Sequence, residues 1–145
     1  MRRAIIVLLM SLYPILASAQ DAASLRAGVV KITSEEEGKR RTGSGFVVSV
    51  EGGTTFIVTA AHVVKGDPNP KVVFFARQHA PVNAEVVKQE LRVDLAVLKV
   101  ESAPQSTVLA FETAAKPKVG DEVVAFGFPQ GGGSWLMSKA NLAAR

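Results

Sequence analysis

An all-β fold, an antiparallel barrel or sandwich, is the class this sequence predicts, and three observations predict it. Short runs of β-branched and aromatic residues recur at roughly eight- to twelve-residue spacing. Gly, Pro, Asn and Asp occupy the intervals in turn-forming combinations. Helical periodicity is nearly absent, and no repeat of fixed length is visible.

The first nineteen residues stand apart from this pattern. Arg2-Arg3, the apolar stretch Ala4 to Leu16 and the small residues Ala17-Ser18-Ala19 form the three regions of a secretory signal peptide, cleaved after Ala19. A membrane anchor is the competing reading, but a span needs roughly 20 apolar residues and Pro14 interrupts this run. No stable membrane span is expected after cleavage, and a periplasmic or secreted location follows.

Beyond the leader, Asp21 to Ala27 suits a short helical turn and Val29 to Thr33 a first strand. Ser34 to Arg41 sets three acids against three bases across Gly38, the composition of a solvated hairpin tip with cross-strand ion pairs. Phe46 to Val50 and Thr54 to Thr59, joined through Glu51-Gly52-Gly53, read as a hairpin. After the breaker-rich loop Lys65 to Pro70 come Val72 to Phe75, Val82 to Lys88 and Asp94 to Val100, each strand-like. Glu101 to Ala115 reads as a surface connection anchored at Val108-Leu109. Val123 to Phe126 is a last strand, ending at Gly127 to Gln130 and the glycines Gly131 to Gly133.

Composition narrows the function classes. Seventeen Lys and Arg against thirteen Asp and Glu give +4, or +2 once Arg2 and Arg3 leave with the leader, too mild to argue for nucleic acid or an anionic membrane as a partner. No cysteine is present, so the fold rests on core packing without disulfides. With His62 and His79 as the only histidines, no zinc-type ligand spacing exists, and neither metal nor cofactor is expected. Gly43-x-Gly45 lacks the third glycine and the helix of a dinucleotide loop. His79, ahead of Pro81, reads as a surface loop residue.

The chemistry concentrates in Thr59-Ala60-Ala61-His62-Val63-Val64 and in Asp94. Taken alone, His62 fits a hydrogen-bonded structural histidine, and Asp94 fits a strand-start residue bonding its own turn. A carboxylate opening an apolar strand can also reach a neighbouring element, accept an imidazole Nδ1 proton and leave Nε2 free as a base. Gly43-Ser44-Gly45-Phe46 ahead of the histidine turns these single residues into a linked set.

That set resembles the trypsin-like serine peptidases, and among them the cysteine-free bacterial HtrA/Deg-type branch. Gly43 to Val48, Ile57 to Val64, Asp94 to Val100 and Val119 to Pro129 carry the resemblance, in family order. It implies the first, His- and Asp-bearing Greek-key barrel of a two-barrel chymotrypsin-like protease. It also implies His62 as general base, Asp94 as its orienting partner, and Ala60 and Ala61 as small residues that let the histidine turn pack on the barrel.

The family's Gly-x-Ser-Gly-Gly nucleophile loop has no counterpart. Gly132-Gly133-Ser134 matches its first three positions, but Trp135 and Leu136 stand where glycines belong. Ser134 is therefore read as a turn residue, Ser138 ranks lower still, and no nucleophile is identified.

The expected organisation is a signal peptide at 1–19, the peptidase barrel at 20–131 and a truncated tail or inter-barrel linker at 132–145. The expected function is that of a fragment of an exported serine endopeptidase, inactive alone and acting on polypeptide once a second barrel is supplied in the same or a separate chain. The alternative is a secreted pseudo-protease module that binds peptide or protein without cleavage. Phe126, Phe128 and Trp135 are expected to lie exposed on the face awaiting that second barrel.

Overall fold

The computed structural model describes residues 18–111, 116–128 and 134–143. The leader expectation falls outside them, apart from Ser18 and Ala19, which begin helix α1 (Ser18–Gly28). The triple glycine also lies outside.

Seven strands form one antiparallel sheet: β1 (Val29–Glu36), β2 (Lys39–Glu51), β3 (Thr54–Thr59), β4 (Lys71–Val73), β5 (Val82–Asn83), β6 (Glu85–Glu90) and β7 (Leu95–Glu101). Their spatial order is β5-β4-β1-β2-β3-β7-β6. Within it β4-β1-β2-β3 is a Greek key, because the fourth strand returns beside the first through a long connection. That connection carries the short helix α2 (Ala61–Val64) and therefore His62.

The sheet curls until its edges meet. Strands β5 and β6 end the order on opposite sides, yet only Ala84 separates them in sequence. The Ala84 N–H donates to Pro70 O at 2.8 Å and the Val86 N–H to Pro68 O at 3.1 Å, fastening the seam.

Alternation explains which side chains fill the barrel. Val30, Ile32 and Ser34 of β1 point inward while Lys31 and Thr33 face out, as a period of two requires. Ile57 of β3, Leu98 and Val100 of β7, Val47, Val72 and Phe74 complete a core of fully buried side chains. Each such aliphatic side chain contributes about 1.5–3 kcal/mol relative to exposure.

The β1–β2 turn is Glu37-Gly38, both with positive φ, the backbone a two-residue hairpin needs. Glu35 and Glu36 stand opposite Arg40 and Lys39, and Arg41 pairs with the Glu36 carboxylate, as the charge pattern predicts.

Several elements differ in extent from the sequence runs. Strand β2 extends back through Gly43-Ser44-Gly45 to Lys39. The run Val72 to Phe75 leaves the sheet after Val73 and turns into a 3-10 turn at Phe75–Arg77. In the connection after β7, Leu109 is the anchor, its N–H donating to Val47 O at 2.9 Å, whereas Val108 is exposed.

The C-terminal part forms its own two-stranded sheet, β8 (Glu122–Gly127) with β9 (Leu136–Asn141). Here the expected exposure of Phe128 and Trp135 is corrected. Phe128 is 6% exposed and packs edge-on against Trp135, ring centroids 4.4 Å apart, and Trp135 and Phe126 are half-buried. The cause is the indole N–H, which needs an acceptor and finds Val29 O at 3.0 Å, drawing the ring across Phe128 and Phe75. The apolar side chains left in water are instead Val123, Val124, Leu136 and Met137 of the hairpin.

Candidate active site

Register brings the two ends of the site together. Thr59, the last residue of β3, lies opposite Ala96, near the start of β7. Antiparallel pairing therefore releases α2 and the turn before β7 at the same end of the barrel.

Helix α2 has only four residues, and tertiary contacts hold it. Ala61, Val63 and Val64 are buried, which leaves His62 as the outward residue of the turn. The Ser34 hydroxyl donates to Val63 O, the Gln89 side-chain amide donates to Ala61 O at 2.9 Å, and the Ala61 N–H donates to Asp94 O at 3.1 Å. Beneath Val63 lies Gly43, where an added Cβ would come within 2.5 Å of Val63 Cγ2. Gly45 is equally constrained, by Ile32, Ile57 and the carbonyl of Val58. The expected fit of small residues before the histidine holds at Ala61, which is fully buried.

Asp94 meets His62 with both carboxylate oxygens. Oδ1 accepts the backbone N–H of His62 at 2.9 Å, and Oδ2 lies 2.7 Å from Nδ1 of its ring. Asp94 occupies the left-handed region at φ +54, a conformation Asp tolerates better than most residues, and this aims its side chain away from β7 toward α2. The backbone N–H of His62 is the main cause that holds the Asp94 carboxyl below the ordinary range, and the His62 ring adds to it. An ionised carboxylate only accepts hydrogen bonds, so Nδ1 carries a proton, and in the neutral ring Nε2 presents its lone pair outward. His62 is well exposed, its side chain at 70%, so that lone pair faces an open surface.

Ser134 and Ser138 lie elsewhere. Ser134 is exposed and precedes Trp135, which is tied to Val29, whereas α2 is tied to Ser34 at the other end of β1. Five residue steps of strand separate those anchors, on the order of 16 Å. Ser138 sits in β9 opposite Ala125. Among the described residues neither serine bonds to His62. His79 is exposed in the loop after the 3-10 turn.

Gly43, Ser34 and Gln89 support the site without having been singled out for that role in the sequence. The close spacing of Gly43 and Gly45 in a strand is the one signal that could have found such support, since strand glycines mark close backbone approach.

The model of the trypsin-like peptidase domain matches residues 43–145. The chain is 32% identical over 116 residues to the serine protease Do-like HtrA of Lactococcus lactis subsp. cremoris, an alignment covering 79% of this chain and 28% of that protein. It is 37% identical over 92 residues to a Rhizobium meliloti protein named "Probable periplasmic serine endoprotease DegP-like", covering 63% and 17%. Among solved structures, the M. tuberculosis protease Rv3671c in its active form superposes with a TM-score of 0.72 at 33% identity, covering 97% of this chain and 59% of that one. The Yersinia pestis serine endoprotease gives a TM-score of 0.74 at 26% identity, covering 86% and 43%. The chain thus spans about a quarter of the length of the first of these relatives.

Proposed function

This chain belongs to the trypsin-like peptidase family, and from that premise we propose that it is the base-bearing barrel of an exported serine endopeptidase. His62 is the general base and Asp94 the carboxylate that orients it. The observation that carries this reading is the two-point contact of Asp94 with the backbone and ring of His62.

In this role Nε2 takes the proton of an attacking hydroxyl while Asp94 stabilises the imidazolium that forms. The hydroxyl and the amides that hold the developing oxyanion are supplied by a second barrel, because Ser134 has neither the glycine context nor the position. The substrate is unfolded or exposed polypeptide, and the 145-residue chain by itself is inactive. The leader-like residues 1–19 and the periplasmic name of the Rhizobium relative support an exported location. A binder that never cleaves has no use for a tautomer-fixing carboxylate, which places the pseudo-protease reading second.

The test uses a fluorophosphonate probe and an unfolded casein substrate. The 145-residue chain alone should show neither labelling nor cleavage. Joined to a second barrel bearing a Gly-x-Ser-Gly-Gly loop, it should cleave in a manner abolished by His62→Ala. Labelling of the isolated chain that disappears with Ser134→Ala would overturn the assignment.

A further inference from the structure

On the outer face of β4, β1 and β2, away from His62 and Asp94, lies a half-open groove lined by Lys31, Thr33, Arg40, Thr42, Lys71 and His79. Strand register builds it. Thr33 pairs with Thr42 on one side and with Lys71 on the other, making one row across three strands. The period of two then puts Lys31 beside Thr33 and Arg40 beside Thr42 on the same face. Strands lie about 4.8 Å apart and alternate residues about 6.6 Å, so the backbones of Arg40 and Lys71 are roughly 12 Å apart, with two hydroxyls between them.

Two carboxylates stand beside this cluster, Glu35 and Asp67, which line an adjoining pocket with Thr33, Arg40 and Lys71. No carboxylate lines the groove, and among the described residues neither Arg40 nor Lys71 has an acid within ion-pair distance. Glu35 stands opposite Arg40 in register but forms no ion pair with it. Asp67, beyond Lys71, directs its two oxygens to the N–H groups of Glu35 and Asn69 at 2.8 and 2.9 Å and makes no ion pair with Lys71. Lys31 holds its ammonium 5.8 Å from the Phe128 ring centroid, on the same face. Within the groove itself Lys31, Arg40 and Lys71 meet no acid, so an anion seated there is attracted by all three.

We propose that this groove is an anion site that takes a phosphate group. Arg40 offers a planar fork of N–H donors and Lys71 a compact point charge, the two complementary ways of holding phosphate oxygens. Thr33 and Thr42 supply hydroxyl donors at the floor, and a ring N–H of His79 closes the loop side. The phosphate belongs either to a soluble molecule or to a lipid headgroup.

The experiment titrates the 145-residue chain with inorganic pyrophosphate and follows backbone amide shifts by NMR. Saturable shifts confined to the strands around Thr33, Arg40, Thr42 and Lys71 are expected. The double variant Arg40→Gln/Lys71→Gln should weaken binding roughly tenfold or more, since charge-assisted contacts are the strong ones. Lys88→Gln/Lys118→Gln, which removes the same charge elsewhere, should change it less than about twofold.

Vesicles of phosphatidylcholine with phosphatidylglycerol separate the sources. Sedimentation with them that pyrophosphate competes away assigns a headgroup, and pyrophosphate binding without vesicle binding assigns a soluble phosphate. Absence of saturable shifts, shifts spread over the whole surface, or equal weakening by both double variants would overturn the site. None of these readouts involves peptide hydrolysis, so failure here leaves the reading of His62 and Asp94 untouched.

Discussion

Asp94 holds His62 at two points, accepting its backbone N–H with Oδ1 at 2.9 Å and facing its Nδ1 with Oδ2 at 2.7 Å. One oxygen fixes where the helical turn sits, and the other fixes the state of the ring. The two functions separate on substitution. In Asp94→Asn the amide oxygen still serves the backbone N–H, but an NH2 group then faces Nδ1 and donates to it. The ring should switch to the Nε2–H tautomer, which removes the lone pair a base needs. Histidine ring nitrogen shifts should show this exchange, and an unchanged Nδ1–H tautomer in the variant would contradict the hydrogen bond as described.

Acid should loosen the same contact. The folded-state pKa of Asp94 lies below its unfolded value, chiefly because of the His62 backbone N–H, so the carboxylate's contribution is complete above the unfolded value of about 3.9. It is lost as pH falls through the lower folded value. The urea midpoint of the unmodified chain should therefore exceed that of Asp94→Asn at about pH 5. That difference should shrink below about pH 4, whereas a gap that widens on acidification would give the shift the opposite sign.

The left-handed backbone of Asp94, φ +54, predicts an order among substitutions. Ala and Gly both remove the carboxylate, so their difference isolates the backbone. Left-handed geometry costs a Cβ-bearing residue roughly 1 kcal/mol more than glycine. Asp94→Gly should thus unfold at higher urea than Asp94→Ala, against the usual direction for the greater chain entropy of glycine. Equal midpoints would mean that the turn relaxes when the side chain is lost.

Much of this arrangement was legible because local chemistry and tertiary role coincide. Val29 to Thr33 and Asp94 to Val100 alternate or run apolar in β-branched residues, and both became core strands. His62 and Asp94 stand out as polar residues with no packing reason at the ends of such strands. Strand β9 was not legible, since Leu136-Met137-Ser138-Lys139-Ala140-Asn141 contains no β-branched or aromatic residue, and pairing with β8 supplies its extended form. The burial of Phe128 was equally hidden. It depends on an indole hydrogen bond to Val29, more than a hundred residues away in sequence. The groove of Lys31, Arg40 and Lys71 is a product of register across three strands, which composition does not reveal.

Gly43 and Val63 are coupled through space, and the coupling reaches the histidine. A Cβ on Gly43 would fall 2.5 Å from Val63 Cγ2 and 2.8 Å from Cγ1, closer than carbon atoms approach. Val63 is 6% exposed and sits in α2 directly after His62, so it cannot yield without moving that turn. Gly43→Ala should destabilise the chain by about 1–3 kcal/mol, the usual range for overpacking. Removing the two methyls it strikes should relieve the clash, so Gly43→Ala/Val63→Ala should lose less than the two single variants taken together. A double-mutant cycle measured by thermal unfolding should return a favourable coupling of roughly 1 kcal/mol. The ring nitrogen shifts of His62 provide the second readout. They should move in Gly43→Ala and return toward those of the unmodified chain in the double variant. Strict additivity with unmoved shifts would mean that Gly43 and α2 do not share this contact.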